Sequence, residues 1–370
     1  MRLQLSLAAL LPVLGASAAS AVDQNADVRF NVYADEELSV LNQSGQVALE
    51  SPEGLRGSAH VGVDIISGAT RSFLPDAITS ATRVDETRLE GGVRLGGNPL
   101  QGLRLDGGYV TSWERDYWSH AASLSAVTEL FDRRGTLSVT GTFGFDNVGR
   151  AGYPSFSEQE GKGGLEASYA HALGKATSLT GLVFVEHALC GERRGCDASP
   201  YRYVPVAAYA EGPFLAFAER HPSSRTRTAL AGRLSQSLWP GLAVHGGYRV
   251  YADTWGVLGH TADVVGAQTL LGDRLALRLD LRAYVQGPAA FHGEYTLESG
   301  AAPGYRTADR RLGTMSDLTA GGSCSYSFPA LGPLRLRAQG RLAHVSFRYD
   351  DELIPARDAW VAGLGLSAVF

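Results

Sequence analysis

Apolar and polar residues alternate along most of this chain. From Asp273 the sequence reads D-R-L-A-L-R-L-D-L-R-A-Y-V-Q. Leu275, Leu277, Leu279, Leu281, Ala283 and Val285 share one face, and Arg274, Arg278, Asp280, Arg282, Tyr284 and Gln286 share the other. A helix would scatter those arginines around its axis, whereas a strand puts them on one side. The pattern returns from Leu334, where Leu334, Leu336, Ala338, Gly340 and Leu342 oppose Arg335, Arg337, Gln339 and Arg341. It returns from Leu242, where Val244, Tyr248 and Val250 oppose His245, Arg249, Tyr251 and Asp253. Leu103, Leu105, Tyr109 and Trp113 oppose Arg104, Asp106, Ser112 and Glu114, and Leu89, Val93 and Leu95 oppose Arg88, Glu90 and Arg94. The chain ends W-V-A-G-L-G-L-S-A-V-F, large apolar residues on one face and small ones on the other. One such segment is a weak signal; many in succession predict a membrane β-barrel with lipid on one face and a lumen on the other.

Connections sort into two kinds. Short Gly, Asn, Asp and Pro turns stand at Gly96-Gly97-Asn98-Pro99, Asp132-Arg133-Arg134-Gly135, Gly174-Lys175, Trp239-Pro240-Gly241, Gly272-Asp273 and Ala330-Leu331-Gly332. Longer polar connections run over 67–82, 147–162, 189–200, 288–315 and 349–357. The short ones are expected on the periplasmic side and the long ones outside the cell. The expected fold is therefore all-β: a single transmembrane antiparallel barrel of 16–18 strands, both termini periplasmic. Strands are expected at 28–34, 38–49 and 55–66 near the N-terminus. Residues 201–221 are expected to add two more, turning at Glu211-Gly212-Pro213; without that pair the count falls to 16.

The N-terminus fits export. Met1-Arg2 precedes an apolar run, Leu3 to Gly15, and the small-residue cleavage sites Ala16-Ser17-Ala18 and Ala19-Ser20-Ala21. Residues 1–21 read as a cleaved secretory signal peptide, and 22–370 as the barrel. No run approaches the ~20 apolar residues of a membrane helix. Composition agrees: 45 of 370 residues are Gly and mean hydropathy is −0.07, as expected where lipid-facing and lumen-facing residues average out. A net charge of −5 gives no nucleic-acid signal.

Within this frame three groups of residues stand out. Arg88, Arg94, Arg104, Arg249, Arg278, Arg282, Arg335, Arg337 and Arg341, with Asp280 among them, are expected to line the lumen. Rings of arginine can set anion preference, and equally can brace a wide wall through ion pairs. Asp64, Ser67, Glu114, Asp116, Asp253, Trp255 and His260 fall near the extracellular strand ends. They can gather at the mouth to bind a hard cation or cationic ligand, or simply brace the loops. Cys190 and Cys196 flank a short external loop and are expected to form a disulfide in an oxidising compartment. Cys324 remains, read as a buried free thiol. No metal site, cofactor motif or nucleotide loop is found, and C-x-x-C-H is missing.

Two resemblances follow from quoted residues. The last strand, with Gly365, Ala368 and Phe370, resembles the C-terminal signal read by barrel-assembly machinery. Asp64-Ile65-Ile66-Ser67-Gly68-Ala69-Thr70 is similar to D-x-I-S-G-A-[TS] of the bacterial domain-of-unknown-function 3570 family. Ser112 to Ser119, His221-Pro222-Ser223-Ser224-Arg225, and Tyr248 to Trp255 with His260-Thr261 resemble further runs of it. That resemblance implies an outer-membrane barrel and supplies no activity.

The functional expectation is a non-enzymatic channel or conduit in the bacterial outer membrane, carrying a small solute, anionic if the arginines select it. The alternative is a structural or receptor barrel binding a periplasmic or extracellular protein, including a sleeve around a redox partner that brings every cofactor. A lipolytic enzyme, built on His344 and Ser346 two apart on the lipid-facing side, ranks last because the sequence shows no orienting partner. Partners beyond a solute or protein are outer-membrane lipid and the assembly machinery.

Overall fold

The computed structural model describes residues 23–36, 38–70, 82–150, 152–153, 155–207, 214–293, 304–350 and 355–370. The signal-peptide expectation, residues 1–21, lies outside them.

Eighteen strands follow in chain order. They are β1 (Asp23–Asp35), β2 (Leu38–Glu50), β3 (Arg56–Thr70), β4 (Thr82–Leu100), β5 (Leu103–Trp113), β6 (Tyr117–Leu130), β7 (Gly135–Gly149), β8 (Ser157–Ala172) and β9 (Thr177–Cys190). Then come β10 (Tyr203–Ala207), β11 (Phe214–Ala218), β12 (Ser224–Trp239), β13 (Leu242–Asp253), β14 (Leu258–Leu270), β15 (Leu275–Gln286), β16 (Met315–Ser327), β17 (Arg335–Tyr349) and β18 (Ala356–Val369). All but β10 and β11 form one closed antiparallel barrel of 16 strands, sealed by β1 against β18. Closure is what a membrane demands, since an open edge leaves backbone groups unpaired in hydrocarbon.

The sequence placed 201–221 in the wall, and here the structure corrects it. β9 pairs directly with β12, Thr177 to Leu189 against Gln236 to Ser224. β10 and β11 pair only with each other, five residues each. A barrel strand needs about 9–11 residues to cross tilted, so strands of five residues are too short to belong to the wall.

Facing follows the sequence periodicity. Leu95, Leu279 and Leu364 are 70%, 72% and 69% exposed on the outer face. On the inner face a polar row runs through register partners from Arg278 to Ser323, Arg341, Gly363, Asn31, Asn42, Asp64 and Arg88. Aromatic residues gather outside near both rims: Tyr109, Trp113, Trp118, Tyr248 and Trp360 toward the loops, and Phe131, Trp239 and Phe328 toward the turns. Amphipathic rings settle at such interfaces.

Short turns lie at one end of the barrel, with both ends of the barrel sheet; the long connections lie at the other end. Turn-side connections run from two residues (101–102) to seven (328–334). Several need left-handed backbone: Phe131, Asp132 and Arg133 supply it after β6, and Leu271, Gly272 and Asp273 after β14. The longest loops, 191–223 and 287–314, both lie at the end opposite the short turns.

Candidate functional site

The described parts of the two long loops, 191–207 with 214–223 and 287–293 with 304–314, fold together into a cap. Its apolar centre is Ala188, Cys196, Trp255, Val257, Ala289 and Leu312, all buried, with Tyr251 and Phe291 packed against it. Ala188 and Tyr251 are inward-facing wall residues of β9 and β13, so the cap rests on the inner wall. Backbone bonds stitch it: Ala290 N–H to the Trp255 carbonyl at 2.8 Å, and the Arg220 and Arg306 amides to each other's carbonyls. The Gln286 amide of β15 donates to the carbonyls of Arg311 and Gly313, both at 2.8 Å. Cys190 and Cys196 are joined, Cα to Cα 5.1 Å, and close the first loop. Gly195 turns that loop at φ +82°, where a Cβ would collide with the His221 carbonyl.

The cap's polar centre was invisible in the sequence. Glu219 is fully buried and accepts from the Ser199 amide at 2.9 Å, Arg202 at 3.0 Å and Thr307 at 2.5 Å. His221 Nε2 stands 3.2 Å from Glu219, and its Nδ1 lies 2.7 Å from the Cys196 carbonyl. The His221 ring meets Trp255 and Phe291 with centroids at 5.1 and 5.3 Å. Arg202 also reaches Asp309 at 2.9 Å. Burial opposes ionisation of Asp309, yet hydrogen bonds from Arg311 and the charge of Arg202 hold it at about 2. Asp197 is likewise lowered: burial resists, and Arg227 and Arg225 prevail. Arg225 sits 4.0 Å over the Trp255 ring and 2.6 Å from Asp253.

The residues expected at the mouth do not form one cluster. Asp64 accepts from Asn42 at 2.6 Å on the inner wall of β3. Ser67, three residues on, falls on the opposite face by strand parity. Glu114 lies 3.7 Å from Arg88, and Asp116 bonds Tyr201 of the cap. Asp253 and Trp255 belong to the cap centre. His260 points outward, its Nδ1 2.8 Å from the Tyr248 hydroxyl. Cys324 is exposed on the outer face, not buried.

All nine lumen arginines fall on the inward parity of their strands. Arg88, Arg104, Arg282 and Arg341 pair with carboxylates, Arg341 with Asp280 at 3.0 Å and Arg282 with Asp317 at 2.9 Å. Arg94, Arg249, Arg278, Arg335 and Arg337 have no ion pair among the described residues. Two cavities follow the inner wall away from the cap. One of about 630 Å³ at the turn side is lined by Arg56, Arg94, Arg104 and Arg335 with Asp23, Glu50 and Asp106. One of about 220 Å³ above it is lined by Arg29, Asn42, His60, Asp64 and Glu90. Gln46 borders both.

On the outer face, Asp358 of β18 stands 3.5 Å from His344 Nε2, a neighbour the sequence did not reveal. His344 packs on Trp360, and no hydrogen bond joins it to Ser346. Gly365 lies on the lumen side of β18, and the Phe370 amide donates to the Gln24 carbonyl at 3.0 Å, at the barrel seam.

No curated protein matches this sequence. A bacterial polysaccharide outer membrane secretin is similar in structure, with TM-score 0.51, 10% identity and coverage of 95% of this chain and 99% of that one. Pseudomonas aeruginosa OccK3 (OpdO) gives TM-score 0.45 at 12% identity, over 94% of this chain and 95% of its own. The siderophore receptor PirA from Pseudomonas aeruginosa gives 0.42 at 10%, over 94% and 81%. At such identities likeness concerns fold alone, and the fold is that of an outer-membrane β-barrel. Residues 186–340 match the family model described as "Protein of unknown function (DUF3570)", so the chain resembles that family from the end of β9 to the middle of β17, the stretch that builds the cap.

Proposed function

We propose that this barrel is a non-enzymatic conduit of the bacterial outer membrane, passing small anionic solutes through its lumen. The observation that carries the reading is the eccentric polar track. The cap leans on β9 and β12–β15, while the two adjoining cavities follow β17, β18 and β1–β5 on the other side. A barrel of 16 strands or more is wide enough for a water-filled channel. Arginines without carboxylate partners along that lumen favour anions. Single-channel recording in planar bilayers tests it. Stable conductance with anion preference is expected, and Arg335→Ala with Arg337→Ala should reduce that preference. Silence, even after deletion of 290–312, would exclude a conduit.

One observation favours a second reading. The cap has its own packed centre around Trp255, Phe291 and His221, unlike a loose loop. Such a surface suits a receptor barrel that binds a protein outside the cell. Silent bilayers together with saturable binding of an extracellular protein, lost when the cap is removed, would select it.

A further inference from the structure

The ion pairs of the lumen are unevenly placed. Toward the loops, Lys162 meets Asp146 and Glu160 at 2.8 and 2.9 Å, Arg282 meets Asp317 at 2.9 Å, and Arg225 meets Asp253 at 2.6 Å. At the turn side, Arg104 meets Asp106 at 2.5 Å, and Arg56 stands 3.6 Å from Asp106 and 3.9 Å from Glu50. Arg94 and Arg335 differ. Among the described residues neither has a carboxylate in ion-pairing range, yet both line the cavity of about 630 Å³.

Register ties these two arginines together. Arg335 pairs with Val369, Val369 with Asn25, Asn25 with Ala48, Ala48 with Ser58, and Ser58 with Arg94. Every residue between them on this inner row is small or short. The row therefore makes a shallow floor with a free guanidinium at each edge. Five strand spacings of about 4.8 Å separate the two backbones, roughly 24 Å along the wall. One carboxylate cannot engage both arginines.

A guanidinium presents a planar fork of donors that matches a carboxylate bidentately. A cavity in the range of about 300–1,000 Å³ suits an organic solute better than a single small ion. We infer that the turn-side cavity is a binding site for a small organic di- or tricarboxylate, Arg94 taking one end and Arg335 the other. This rests on the conduit reading and names its solute class. Asp106 keeps Arg56 and Arg104 engaged, so the ligand meets two free cations, with Asp23 and Glu50 also on the cavity wall.

Isothermal titration of the detergent-solubilised barrel with citrate, acetate and inorganic phosphate tests the site. Citrate should bind at one per barrel, with acetate and phosphate at least tenfold weaker. Arg94→Gln and Arg335→Gln should each weaken citrate binding about tenfold to 100-fold, the range for losing a charge-assisted hydrogen bond. The double variant should abolish binding, and Arg335→Lys should recover part of it. Arg133→Gln, in the turn after β6 and outside both cavities, should leave citrate binding unchanged. Heat-modifiable gel migration establishes that each variant is folded.

No citrate binding by the native barrel, equal binding by the double variant, or phosphate binding as tight as citrate would overturn the site. An anion-selective channel showing any of those results loses the site and keeps the conduit. A barrel that never conducts, yet binds citrate through these two arginines, loses the conduit instead.

Discussion

Placing a charge on the wrong face of β15 gives the most direct test of how the barrel sits in lipid. Leu279 is 72% exposed on the outer face. It is the fifth of 12 residues in β15. Four residues at about 3.4 Å each, on a strand tilted about 40°, put it roughly 10 Å from the turn-side end of the strand. The apolar band is about 25 Å tall, so Leu279 lies near the midplane. Leu279→Arg there should cost about 2–4 kcal/mol, which shifts the folding equilibrium roughly 30- to 1,000-fold. Arg278 is the control. It faces the lumen, has no carboxylate partner among the described residues, and neighbours Ser323 across the sheet. Arg278→Leu should change stability by about 0.5 kcal/mol or less, as for a solvated surface position. Guanidinium unfolding in lipid vesicles, followed by tryptophan fluorescence and heat-modifiable migration, measures both. If Arg at 279 is tolerated while Leu at 278 costs several kcal/mol, the inside and outside of the barrel have been exchanged and the lumen reading fails with them.

Three further outcomes follow from named contacts. Deleting Phe370, whose amide closes the seam onto Gln24, should lower outer-membrane levels without affecting export; unchanged levels in fractionated membranes would remove its role in assembly. Cys190 and Cys196 should appear disulfide-linked in non-reduced protein by mass spectrometry; two alkylatable thiols at those positions would refute this. Asp309 is held at about 2, against an ordinary 3.8. Its folded value is the lower one, so its stabilisation is complete above about pH 4 and fades as pH falls toward 2. The shift corresponds to ~2 kcal/mol. Protease resistance of the cap should decline across that window in native protein, and Asp309→Asn should be weaker at neutral pH with no acid step.

The wall was legible because lipid and water impose the same division on every strand. Leu275 to Val285 and Leu334 to Leu342 announce their outer faces by period alone. The same rule, applied further, would have placed other residues correctly. Ser67 is three positions from Asp64, so it cannot share its face. His260 shares parity with Leu258, Val264 and Leu270, all outward. Cys324 shares it with Leu318. Strand parity admits a further pair in 201–221; only the pairing of β9 with β12 shows that β10 and β11 lie outside the wall. The cap was beyond reach. Thr307 and Glu219 are 88 residues apart, and Arg202 and Asp309 are 107 apart. Loops carry no period to bring such partners together on paper.

The cap also explains the charge distribution of the lumen. Loops at the mouth of a wide barrel can bury little apolar surface, and their centre here is five small-to-medium residues around one tryptophan. Polar contacts must supply the rest, and buried carboxylates such as Glu219 and Asp309 persist only when cations meet them. The loop-side arginines, Arg202, Arg225 and Arg227, are therefore engaged in holding the cap to the wall. The turn side has short connections and no cap to hold. There Asp106 holds Arg56 and Arg104, while Arg94 and Arg335 face the cavity across a floor of small residues. Substituting Arg225 should unfasten the cap and change loop accessibility, while substituting Arg335 should leave the cap intact and change what the lumen attracts.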